Sequence, residues 1–82
     1  MTPVAIEKLP PKLRDDAERF LKRNARTPAA RLRPHIGISG STWMAMIGKS
    51  VQHGLVGFGH TPRRALHAFN RICAERGHTI PG

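Results

Sequence analysis

Five histidines and one cysteine are the side chains of this chain best suited to holding a metal or acting as a nucleophile, and His60, His67, Cys73 and His78 fall within nineteen residues. Their spacing speaks against a shared ion. Two ligands on one helix face stand at i and i+4, whereas His67 and Cys73 are six apart and Cys73 falls on an apolar stripe. A buried thiol without an activating base is inert. Asp15, Asp16 and Glu18 are the one carboxylate cluster, the residue type that does general acid and base work. However, Asp15 with Arg19 and Glu18 with Lys22 stand at the spacing of helix ion pairs, and acids early with bases late complement a helix dipole. Gly57-x-Gly59 lacks the third glycine of a dinucleotide-binding loop. The expectation is a chain with no metal, no cofactor and no catalytic centre.

The remaining chemistry is cationic. Fourteen lysines and arginines against five acids give a formal net charge of +9, and four of the five acids precede Arg19. A field of that sign gathers polyanions, so the expected partner is nucleic acid, RNA or DNA, or the acidic surface of a protein. Two stretches concentrate the charge. The run from Arg19 to Arg33 holds Arg23, Arg26, Arg31 and Arg33 with no acid after Arg19. Near the C-terminus, Arg64, His67 and Arg71 recur at i, i+3 and i+7, with Arg63 beside them, so they form one stripe of a helix. Together with Lys49 these are the expected phosphate contacts.

The elements that must position them follow from punctuation and periodicity. Thr61 suits an N-cap and Pro62 the first helical position. From there Ala65, Leu66, Phe69, Ile72 and Cys73 make one apolar stripe, until Gly77 stops the helix. Pro11 opens an earlier helix running to about Asn24, with Leu13, Ala17, Phe20 and Leu21 on its apolar side. Arg26-Thr27-Pro28 to Arg33-Pro34 ends it and reads as a connection. Three strands are expected: His35–Ser39, Thr42–Ile47 between Gly40 and Gly48, and Leu55–Phe58. Residues 1–9 are expected as a flexible arm, 10–77 as a single domain and 78–82 as a disordered tail.

The fold class is therefore α+β: a two- to three-stranded antiparallel sheet with two helices packed on one face, in the order α-β-β-β-α. Leu13, Phe20, Leu21, Ile47, Leu66, Phe69 and Ile72 are the expected core. An 82-residue chain buries only about 60% of its unfolded surface, so a partner would help it. The Thr42–Ile47 strand has no polar face, so helices on one side leave either the Trp43 side or the Met44/Met46 side uncovered and apolar. Trp43, Met44 and Met46 are the expected interface of a homodimer. Trp43 could also stack on a base, though a tryptophan among alternating apolar residues more often serves core or interface. A single cysteine fits a reducing cytoplasm, and no run approaches the ~18 apolar residues of a membrane span.

Two resemblances rest on the hairpin-to-helix stretch. Gly57-x-Gly59-x-Thr61-x-x-x-Ala65-Leu66 after a strand pair, over about Trp43 to Cys73, resembles the HicB-like antitoxin domains. It is also similar to small phage and prophage proteins with a Trp-containing strand and a Gly-Phe-Gly turn. That likeness implies a cytoplasmic, dimerising antitoxin or inhibitor that covers another protein's surface; Arg63 and Arg64 stand where that family has acids. Gly57, Gly59, Thr61, Arg63 and Ala65, with Pro34-His35, resemble the double-stranded-RNA-binding domain, which has the same element order. This second likeness implies that Arg63 and Arg64 meet phosphates across the major groove while the first helix and the Pro34-His35 loop lie along minor grooves.

Overall fold

The computed structural model describes residues 3–48 and 54–75. Helix α1 spans Pro11–Arg23, α2 Pro28–Leu32 and α3 Pro62–Glu75; strands β1, β2 and β3 span His35–Ser39, Thr42–Ile47 and Leu55–Gly59. The strands form one antiparallel sheet in the order β1-β2-β3. The class is α+β and the order of the expected elements holds, with α2 and a 3₁₀ turn at Ile6–Lys8 added.

Register decides which side chains meet the helices. Ala45 stands opposite both Ile36 and Gly57, and Trp43 opposite Ile38 and Gly59. Directly opposed residues share a face, so these positions with Ile47 and Leu55 make the inner face. Helix α3 lies on β3 and β2, and α1 and α2 pack against α3. Gly57 and Gly59 allow this. A Cβ on Gly57 would come within 2.2 Å of the Phe69 nitrogen, and one on Gly59 within 2.6 Å of the Ala65 nitrogen. The helix backbone thus rests directly on the strand, which no larger residue permits.

The core comprises Ile6, Leu9, Ala17, Leu21, Ala29, Ile36, Ala45, Ala65, Leu66, Phe69 and Cys73, with Leu13, Phe20, Trp43 and Ile47 partly buried against it. Ile72, expected here, instead sits half-buried beside Val56 and Phe58 at the outer side of β3. Trp43 is likewise displaced from its expected interface role, because its register puts it on the inner face.

Residues 3–9, expected as a loose arm, are packed. Val4 and Ile36 exchange backbone hydrogen bonds of 2.9 and 2.8 Å, which closes the outer edge of β1. The 3₁₀ turn then brings Ile6 and Leu9 to the same side, as its three-residue period requires, and both are buried.

Helix α2 occupies what the prolines suggested was a connection. Pro28 starts it, and Arg33 ends it in the left-handed region at φ 47°, just before the fully buried Pro34. Thr27 does not cap it, since its hydroxyl donates to the Asn24 carbonyl at 2.6 Å. The cap comes from α3, where Asn70 Oδ1 accepts the Ala29 N–H at 2.7 Å. Asn70 therefore binds the Arg26–Arg31 stretch to the last helix. The expected tail at 78–82 lies outside the described residues.

Candidate nucleic-acid interface

The first turn of α3 is fixed from both ends of Thr61. Its hydroxyl accepts the Arg64 N–H at 3.1 Å and its carbonyl accepts the Ala65 N–H at 2.9 Å, while Pro62 is buried behind it. Arg63 and Arg64 are held in that turn with exposed side chains. Because α1 packs alongside, a groove of about 580 Å³ opens between the helices, lined by Asp16, Phe20, Thr61, Arg63, Arg64 and His67. A second hollow shares Asp16, Phe20 and Arg63 and adds Arg19, Arg23 and Asn24. The two are thus one continuous surface with Phe20 in its floor and four arginines on its walls.

None of those four arginines takes part in an ion pair among the described residues, where the pairs are Arg33 with Glu7, Arg33 with Glu18, and Arg71 with Glu75. The expected Asp15–Arg19 and Glu18–Lys22 pairs are not among them. Helix α3 also carries its charge in reverse, with no acid in its first turn and Glu75 at its end. Cations at a helix N-terminus oppose its dipole by about 0.3–1 kcal/mol each. That cost is removed when an anion sits between them.

The other expected contacts lie apart from this surface. Arg71 is turned toward the outer side of β3 and stands 3.8 Å from Glu75. Arg26, in the turn after α1, and Arg31, on α2, are exposed but line neither hollow. Arg33 is a correction to the expected set. Its Nη1 and Nη2 donate to the two Glu18 carboxylate oxygens at 2.9 and 3.1 Å, and its Nε and Nη2 to Glu7. Hydrogen bonding to Glu18 and then Glu7 raises its pKa further, and the Arg33 bond holds the Glu7 carboxyl below its ordinary value. A guanidinium that places four of its five N–H groups on two carboxylates has its charge compensated and only one donor left for phosphate. Pro34 is buried and His35 is the first residue of β1, so this pair lies at the entry to the first strand and not between strands; the β1–β2 connection is Gly40-Ser41, with Gly40 at φ 63°. Lys49 lies outside the described residues.

Asp16 and Phe20 are site residues that the sequence reading lacks, whereas Arg19 stands in it as the first residue of the basic run. Arg19 opens that run and also stands at ion-pair spacing from Asp15, and Phe20 falls on the apolar stripe, yet Asp16, Arg19 and Arg23 recur at i, i+3 and i+7. That stripe on α1 mirrors the one on α3 and was the available signal.

Among the described residues no three His, Cys, Asp or Glu side chains come together to hold a metal ion, and no helix is long and apolar enough to cross a membrane. Burial raises the pKa of the Cys73 thiol, away from the reactive thiolate. Searches of protein-family models, of curated proteins and of solved structures each find no match to the chain.

Proposed function

We propose that this protein is a nucleic-acid-binding module of the cytoplasm, working by binding without catalysis, and that the α1/α3 groove is where it grips phosphates. Arg63 and Arg64 at the α3 N-terminus and Arg19 and Arg23 on α1 are its cationic walls, with His67 alongside. One observation carries this reading. Four arginines unpaired among the described residues converge on one groove, two of them where the helix dipole makes them unfavourable in the absence of an anion. Phosphate contacts of this kind position a protein without reading sequence.

The test is binding of labelled RNA and DNA duplexes across a salt series. Each phosphate neutralised adds about 0.9 to the negative slope of log K against log salt on a DNA duplex. Replacing Arg63 and Arg64 by glutamine should flatten that slope by about two, and adding Arg19→Gln and Arg23→Gln should flatten it by about two more. Glutamine at Arg33 should leave the slope unchanged. A parent protein that binds neither duplex at ~50 mM salt, where screening is weak, ends this reading.

A further inference from the structure

The face of the sheet turned away from the helices carries no lysine, arginine or carboxylate from its own strands. By register it is formed by His35, Gly37 and Ser39 of β1, Thr42, Met44 and Met46 of β2, and Val56 and Phe58 of β3. Phe58 is 49% exposed, the only large hydrophobic group so exposed among the described residues. It stands opposite Met44, and Val56 stands opposite Met46, so four apolar side chains make one patch. Arg71 and Glu75, past the β3 edge, pair with each other.

We propose that this face is the contact of a two-fold dimer of the same chain, built sheet on sheet with Met44, Met46, Val56 and Phe58 packing against their counterparts. The distribution of charge selects a second copy as the occupant. Two molecules of net charge +9 repel wherever their helix layers meet. Every lysine and arginine of the described residues lies outside the strands, so the open face lets two such chains touch without opposing cations from the strands. The same patch on both partners is what a two-fold contact requires, and unbranched methionines fill the gaps of a flat interface well. An acidic partner would be drawn to the helices instead. Three strands of five or six residues span a face of about 17 by 14 Å. That is small for a specific interface, so the dimer is expected to be weak and visible only at elevated concentration.

Sedimentation of the full chain without nucleic acid tests this. Monomer at low concentration should give way to dimer as concentration rises, and added salt should strengthen the dimer because it screens repulsion between the cationic chains. Nucleic-acid binding has the opposite salt dependence, so failure of one reading leaves the other standing. The chain has three methionines. In a spectrum of their labelled methyl groups, those of Met44 and Met46 should shift with concentration. Phe58→Ser with Met44→Gln leaves the net charge intact and should weaken the dimer roughly tenfold or more while circular dichroism stays native. Three results would overturn the proposal: a monomer at every concentration, a dimer unaffected in a folded double variant, or methyl signals that do not move. Capture of the face by residues 76–82 would appear as the first of these.

Discussion

Arg33 shows why a count of charges is not a map of a binding surface. It lies in the densest basic run of the chain, yet Glu18, fifteen positions before it, and Glu7, twenty-six before it, close on its guanidinium. Neither separation is a helix spacing, so nothing local in the sequence announces the pair. The contact joins three segments: the 3₁₀ turn, α1 and the left-handed end of α2. It also offsets the strain of a non-glycine residue at φ 47°. A pH dependence follows from Glu7. Its carboxyl is held below the ordinary 4.5 in the folded protein by the Arg33 bond, so the stabilisation is complete above the unfolded-state pKa and is lost as pH falls through the folded value. Arg33 stays charged throughout that window and adds no slope. Thermal unfolding of the parent should therefore fall toward Glu7→Gln as pH drops below about 4.5, with the two converging in acid. Equal gaps at pH 7 and in strong acid would show that the bond stabilises nothing. The effect should be modest, since Glu7 is exposed to solvent.

At the scale of elements, β2 and α3 were legible because each is bounded by local signals: Gly40 and Gly48 around the strand, Thr61-Pro62 at the helix start. The face that α3 buries was legible too, from the spacing of Ala65, Leu66, Phe69 and Cys73, all fully buried. Helix α2 was not, because Pro28 and Pro34 read as breakers when Pro28 is a first-turn residue and Asn70, forty-one positions away, supplies the cap. The packing of residues 3–9 was half legible: Val4 and Ile6 at alternate positions allow an edge strand as well as a loose arm, and the single bridge to Ile36 that decides between them has no local signal. The sequence places Gly57 in the last strand and Gly59 just after it, but does not show what the pair is for. Both glycines lie inside β3, where they let the α3 backbone approach, and that approach fixes the height at which Arg63 and Arg64 stand beside α1. Gly57→Ala has to force the helix off the strand, because the atoms it meets are backbone. The expected cost is about 1–3 kcal/mol or more, measured by denaturant unfolding. Duplex affinity should fall with it even when the protein is kept folded. A variant as stable as the parent would show that α3 does not rest on β3 in this way.

At the scale of the molecule the described residues form a two-layer plate, cationic on the helix side and without lysine, arginine or carboxylate in the strands. If two plates join through their strand sides, the helix layers become the outer surfaces, and the two α1/α3 grooves face away from each other. Such a dimer binds two nucleic-acid segments at once without any contact between the grooves. The two steps respond oppositely to salt, since phosphate contacts weaken as ions are added while association of like-charged plates strengthens. Bridging should therefore peak at intermediate ionic strength, where each step is still substantial. Two duplexes carrying different fluorophores report it directly: energy transfer should appear only with protein present, rise and then fall along the salt series, and disappear when excess protein gives every duplex its own dimer. The Phe58→Ser, Met44→Gln variant separates the steps, because it keeps all fourteen lysines and arginines. It should bind each duplex with nearly the parent's salt slope and produce no transfer. Transfer that survives in this variant would mean that one molecule bridges two duplexes by itself, and the outlying Arg26 and Arg31 would then be the place to look for a second grip.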